Sequence, residues 1–303
     1  MLPISRFPAA VAVGLRAVFT DIDGTLTAGG RVTAEAFAAL WKLASAGVRV
    51  VAVTGRPAGW CDALVRQWPI DAVIGENGAL AFYLRQGRVQ RLFHPSVARE
   101  GAKERLAAIR DEILAAVSGS RVAADQAYRL YDLAIDFAEE PPDLGLDTAE
   151  EIRGIFLRHG AHAKVSSIHV NGWFGDYDKL AMTKLYAREV WRQDLDAERE
   201  RYTFVGDSAN DEPMFAHFPH ACAVANVRAF ATRLAHQPRY VSAKDGGAGF
   251  AEIAATLLRL RKPPAKTRSK RRRAARADGT SDPRRGGGRK RPRRKSRSRR
   301  AKR

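Results

Sequence analysis

Cysteine is nearly absent: the 303 residues contain only Cys61 and Cys222, far apart in the chain. No disulfide framework or cysteine-rich metal site can be built from them, which fits a reducing cytoplasm. Long apolar runs are also missing. None approaches the roughly 18 residues of a membrane span. The stretch Phe7 to Leu15, with Arg6 before it, has the outline of an export signal core. It is barely long enough, and Arg16 interrupts it, so a cytoplasmic location is expected. No internal repeat is visible.

Acidic residues are scarce in one place. Residues 261–303 hold 22 of the 52 Lys and Arg but only two of the 33 Asp and Glu, which leaves 30 basic against 31 acidic residues elsewhere. The formal net charge of +19 therefore belongs to a tail on a nearly neutral body. That tail has no aromatic residue and little to bury, and it is rich in Pro, Gly and Ser. It is expected to be disordered and to bind RNA, DNA or another polyanion electrostatically, without sequence preference. A solubilising extension with no dedicated partner is the other reading.

The body is organised around Ala17-Val18-Phe19-Thr20-Asp21-Ile22-Asp23-Gly24-Thr25. An apolar β-prone run ends in carboxylates at i and i+2, which face the same side of an extended backbone. Paired acids at a strand tip suit a hard cation such as Mg²⁺. They also allow one carboxylate to attack while the other moves protons. Taken alone, the stretch reads more readily as a strand entering an Asp/Gly turn, and the rest of the chain must decide.

Downstream, a helix capped by Thr33 and stopped by Gly47 leads to a strand, Val48 to Val53, ending in Thr54-Gly55-Arg56. A second helix and the strand Ala72 to Ile74 complete a parallel alternation with helices on both faces. The pattern changes at Glu76-Asn77-Gly78-Ala79. A hairpin pair, a helix over about Val97 to Val117, a strand over Tyr128 to Phe137, another helix and a strand over Ala163 to Val170 predict a small α+β sheet covered on one face. Alternation resumes with a helix opened by Lys179 and a strand, Tyr202 to Val205, running into Gly206-Asp207-Ser208-Ala209-Asn210-Asp211. In a parallel sheet these strand ends share one edge, so Asp21, Asp23, Thr54, Gly55, Asp207 and Asp211 can converge.

In this order, Asp21-Ile22-Asp23-Gly24-Thr25, Thr54-Gly55-Arg56, Lys179 and Gly206 to Asp211 resemble the four motifs of the haloacid dehalogenase superfamily of phosphohydrolases. The likeness spans residues 17 to 260. An insertion between the second and third motifs is similar to the α+β-capped, IIB-type branch, which contains sucrose-, trehalose- and mannosyl-phosphoglycerate-phosphate phosphatases. The resemblance implies an α/β fold: a Rossmann-like parallel-sheet core over 14–84 and 177–260, an inserted α+β cap over 85–176, and the basic tail over 261–303.

It also implies a Mg²⁺-dependent phosphatase acting on a small phosphomonoester, a sugar phosphate above all. Asp21 would be the nucleophile, and Asp23 the acid and base. Thr54, Gly55 and Lys179 would hold the phosphoryl oxygens. Asp21, Asp207 and the Asp23 backbone carbonyl would hold the metal, with Asn210 and Asp211 behind them. Lys184 follows nearby, but Lys179 stands nearer the helix start and is favoured. Arg56, Asn77, His169 and Asn171 are the candidates for contacting the leaving group; for the cap strand, a polar outer face of a half-exposed sheet is the competing reading. A sugar phosphomutase, or a nucleic-acid-binding regulator on a hydrolase scaffold, are the alternatives.

Overall fold

The run Ala17–Thr20 is buried along its whole length and forms β1 inside a nine-stranded sheet, in a computed structural model that describes residues 1–98 and 100–261. In chain order there follow α1 (Ala34–Ser45), β2 (Arg49–Val53), α2 (Ala58–Gln67), β3 (Ala72–Gly75), β4 (Leu80–Arg85) and β5 (Arg88–Phe93). Next come α3 (Ala102–Ala116), β6 (Asp132–Asp136), α4 (Gly145–Arg158), β7 (His162–Val165) and β8 (His169–Trp173). The chain then forms α5 (Lys179–Tyr186), β9 (Tyr202–Gly206), α6 (Glu212–His217), β10 (Cys222–Ala223), β11 (Tyr240–Val241) and α7 (Gly246–Arg261).

The large sheet runs from the edge strand Leu2–Pro3 through β11, β10, β9, β1, β2, β3 and β4 to β5. It is parallel as far as β3 and antiparallel through the β4–β5 hairpin. Its strands are apolar on both faces because helices cover both. Val18, Val50 and Ala52 face α1, α2 and α7. One residue along, Phe19, Val51 and Val53 face α5 and α6. The period of two in the pleat thus sorts one apolar run into two cores. Thr33 caps α1 by accepting a hydrogen bond from Ala36 N at 3.2 Å, and Gly47 ends that helix region at φ +72°.

The cap is a four-stranded antiparallel sheet in the order β7, β8, β6 and Arg121–Val122. One face (Leu133, Ile135, Val165 and Val170) packs on α3 and α4 through Ile109, Ile113, Ile152 and Phe156. The opposite face carries Asp132, Asp136, His169 and Asn171, all buried. The half-exposed reading of β8 is therefore corrected, because this polar face is closed over by the body of the protein.

Three boundaries also move. Leu2–Pro3 pairs with β11 and Ile4 and Phe7 join the core, so the core does not begin at residue 14. Phe7 to Leu15, the stretch that resembled a signal core, contains a short helix, Ala9–Gly14, packed on α7. Strand β5 belongs to the large sheet, so the cap begins after Phe93 rather than at residue 85. Arg261 still belongs to α7, donating to Leu15 O at 2.6 Å. The rest of the expected disordered tail, 262–303, lies outside the described residues.

The strand expected from Tyr128 is shortened to Asp132–Asp136. Before it, Gln126–Tyr128 forms a short helical turn, and Arg129 is fully inside a cluster with Asp125 and Asp132, at 2.9 and 3.1 Å. Both cysteines are buried and free. No helix among the described residues is long and apolar enough to cross a membrane.

Candidate active site

Strands β9, β1 and β2 are adjacent and parallel, so their carboxyl ends deliver Asp207, Asp21 and Thr54 to one edge. Asp21 continues the ladder, donating its amide to Val205 O at 2.9 Å. From the opposite side α5 begins at Lys179, with Asp178 capping it by accepting from Ala181 N at 2.7 Å. The Lys179 ammonium is fully buried and donates to Asp21 Oδ1 at 3.0 Å and Asp211 Oδ1 at 2.7 Å. Lys184, the alternative, faces the surface, 2.7 Å from Asp196.

Carboxylate oxygens of Asp21, Asp207 and Asp211 lie within 4.8 Å of one another. Burial pushes Asp21 up to about 7; Lys179 opposes the shift, while Asp211 and Asp23 add to it. Asp207 stands well above the usual carboxylate range, first by burial and then by the charges of Asp21 and Asp211. Lys179 is held above the usual lysine range: burial works against its charge, but Asp21 and Asp211 outweigh it. Three buried acids with one ammonium are short of positive charge. That shortage, in an all-oxygen donor set, fits a hard divalent cation.

Neighbours fix each acid. Asp207 accepts from Thr25 Oγ1 at 3.3 Å and from Asn226 Nδ2 at 3.0 Å. Gly24, at φ +70°, packs so closely that a Cβ there would fall 2.2 Å from Asp207 Oδ2. Asp211 accepts from the Asp207 amide at 3.0 Å and forms a capping box with Ser208. Asn210 accepts from the Ser208 hydroxyl at 2.9 Å.

Asp23 stands apart from the acidic cluster: both of its oxygens are held by Arg56, from Nε at 2.9 Å and Nη2 at 2.8 Å. Arg56 also reaches into the cap, to Asp125 at 3.2 Å and Glu139 at 2.6 Å. Gly55 lies where an added Cβ would approach Asn77 Nδ2 at 3.2 Å and Asn171 Oδ1 at 3.4 Å. Asn77, left-handed at φ +53°, is buried and its Nδ2 has no protein partner. Asn171 donates to Asp132 at 2.9 Å, and His169 Nε2 stands 2.7 Å from Glu139, off the line of a hydrogen bond. The cap residue Asn171 thus comes close to Gly55 of the core, and His169 to Glu139 beside Arg56.

The sequence reading missed the ties across the cleft. Arg129 donates to Gly55 O at 2.8 Å. Glu76 accepts from Ala58 N in the core and from Leu130 N and Tyr131 N in the cap, at 2.9, 2.9 and 2.7 Å. Burial and then Asp132 push its carboxyl up to about 7. Asn226 was missed too, although it follows the strand-like run Ala221 to Ala225 as the other site residues follow theirs. Of the tryptophans, Trp60 stacks on Arg56, 4.4 Å from its Cζ, while Trp173 is core.

A family model described as haloacid dehalogenase-like hydrolase matches residues 18–122. No curated protein matches the sequence. Among solved structures, a Thermoplasma acidophilum protein is 21% identical, with a TM-score of 0.61 over 81% of this chain and 99% of its own. The sucrose-phosphatase of Synechocystis, solved with sucrose and phosphate, is 15% identical with a TM-score of 0.55, covering 80% of this chain and 97% of its own. The C-terminal domain of the C. albicans trehalose-6-phosphate phosphatase is 14% identical with a TM-score of 0.63, covering 86% and 99%.

Proposed function

We propose that this chain, a haloacid dehalogenase-like hydrolase by its fold and by its first two motifs, is a Mg²⁺-dependent phosphatase that hydrolyses a sugar phosphate. The reading is carried by one observation: a fully buried lysine bridges Asp21 and Asp211 beside Asp207, two residues from Asp23, which lines the open cleft. Two of the similar folds are sugar-phosphate phosphatases by name, which supports a sugar as the leaving group.

Asp21 attacks the phosphorus in line and forms an aspartyl-phosphate as the ester oxygen departs. Asp23 gives that oxygen its proton, then takes one from the water that hydrolyses the intermediate. To do so, an Asp23 oxygen works through its second lone pair while Arg56 keeps the first, so the alcohol enters where Arg56 and Glu139 meet. Lys179, the Thr54 hydroxyl and the Gly55 amide bind phosphoryl oxygens. Asp21, Asp207 and the Asp23 carbonyl would hold Mg²⁺, whose bound charge neutralises the repulsion between carboxylate and phosphate. Asp211 and Asn210 keep Lys179 and the loop around Asp207 in place.

The test is phosphate release from a panel of sugar phosphates with Mg²⁺ and with EDTA. Release that stops on chelation is expected. Activity indifferent to chelation overturns the metal, and phosphate moved within the sugar rather than released overturns hydrolysis.

The basic tail is proposed to bind polyanions and to be dispensable for catalysis. A chain stopped after Arg261, which keeps the contact of that residue with Leu15, is expected to retain its phosphatase rate and lose salt-sensitive RNA binding. Binding that survives would place the polyanion site on the body.

A further inference from the structure

The cleft beside Asp23 has a volume of about 380 Å³ and is walled by Asp23, Arg56, Glu139, Ser167 and Asp245, among others. Among the described residues Arg56 is the one Lys or Arg in that wall, and it is already engaged. Its nitrogens serve Asp23, Asp125 and Glu139, and the Trp60 ring covers its face. Three carboxylates therefore surround the leaving-group space against one occupied guanidinium.

Glu139 holds the central place among them. Its amide donates to Asp136 Oδ1 at 2.8 Å and the next amide, of Glu140, to Oδ2 at 3.2 Å, so the loop after β6 presents it in a fixed position. Burial works against its charge, yet His169 and Arg56 beside it hold the carboxyl down to about 2. One oxygen faces Arg56 and the other His169, and the side chain keeps 27% of its surface exposed. A carboxylate oxygen accepts more than one hydrogen bond, so both retain acceptor capacity for a ligand.

We infer that the leaving group is a sugar bearing an ammonium group in preference to a neutral sugar, that an anionic leaving group is rejected, and that Glu139 sets this order. The inference rests on the phosphomonoesterase reading of the same site and narrows it. An ammonium supplies the cation that the wall lacks and donates to Glu139. A neutral polyol donates hydroxyls without that charge. A carboxylated leaving group, such as a phosphoglycerate ester, meets carboxylates with no free cation among the described residues of the wall to balance it.

The test uses the full chain with Mg²⁺ and four substrates: glucosamine 6-phosphate, glucose 6-phosphate, 6-phosphogluconate and p-nitrophenyl phosphate. Among the three sugar esters kcat/KM is expected to fall in the order given. Glu139→Gln should compress the ratio between the first and third by about tenfold or more, the scale of one unit charge at close range. A ratio taken within one variant cancels differences in folded fraction. Asp245→Asn, at an exposed position, should compress it in the same direction by less. A flat or reversed order in the natural chain overturns the inference, as does an unchanged ratio in Glu139→Gln. If that variant fails to fold, an unchanged ratio in Asp245→Asn overturns it. No turnover of any ester, p-nitrophenyl phosphate included, removes the phosphomonoesterase reading and this inference with it. Turnover of p-nitrophenyl phosphate with a reversed order removes this inference alone.

Discussion

Asp21→Asn is expected to lose turnover by at least about 10⁴-fold while folding no worse than the natural chain. The amide matches the carboxylate in shape but cannot form an acyl-phosphate. Stability should move the other way. Folded Asp21 binds its proton with a pKa of about 7 against an ordinary 3.8. Between those values the folded state holds more protons than the unfolded one, so metal-free stability falls as pH rises through that window, and the full penalty is present above it. The asparagine carries no such penalty. At pH 7.5 without metal the variant should melt at or above the natural chain, whereas added Mg²⁺ should raise the melting temperature of the natural chain more than that of the variant. Labelled phosphate trapped on another residue, or full activity of the asparagine form, would sink the assignment of Asp21.

The core was legible because its signals are local. A buried run such as Ala17–Thr20, a cap such as Thr33 and a stop such as Gly47 each announce themselves within a few residues. The ends of β1, β2 and β9 then had to share an edge by topology alone, which brings Asp21, Thr54 and Asp207 together. The cap resisted the same reading. The β4–β5 hairpin carries an alternating pattern that fits either sheet, and only pairing with β3 assigns it to the core. Asp125 and Glu139 lie in loops with no periodicity, and their value comes from one arginine, Arg56, some 70 to 80 residues earlier in the chain. Glu76 lies within the stretch where the alternation changes, yet its carboxylate serves three amides distant in sequence. Sequence spacing cannot disclose such partners, because the contact exists only once the cap has docked on the core.

Lys179→Met is expected to lose both activity and stability, and the two losses should separate on adding metal. Among the described residues the ammonium is the only cation against Asp21 and Asp211, and both it and those acids are out of water. Removing one partner of a buried ion pair costs about 3–5 kcal/mol, because the remaining charges have neither solvent nor counter-ion. For a domain of this size that corresponds to a melting temperature lower by roughly 10 °C or more. The deficit should be largest above pH 7, where Asp21 would be ionised, and should shrink towards pH 5 as it takes up a proton. Mg²⁺ should restore much of the stability by supplying positive charge to the same carboxylates. It should not restore turnover, since the methionine still offers no donor to the phosphoryl oxygens, and kcat/KM should remain down by on the order of 10³-fold. Lys184→Met is the control. That side chain is 36% exposed and paired with Asp196 at the surface, so its loss should cost under about 1 kcal/mol and leave turnover unchanged. Loss of activity in the Lys184 variant with the Lys179 variant fully active would reverse the assignment of the phosphate-binding lysine.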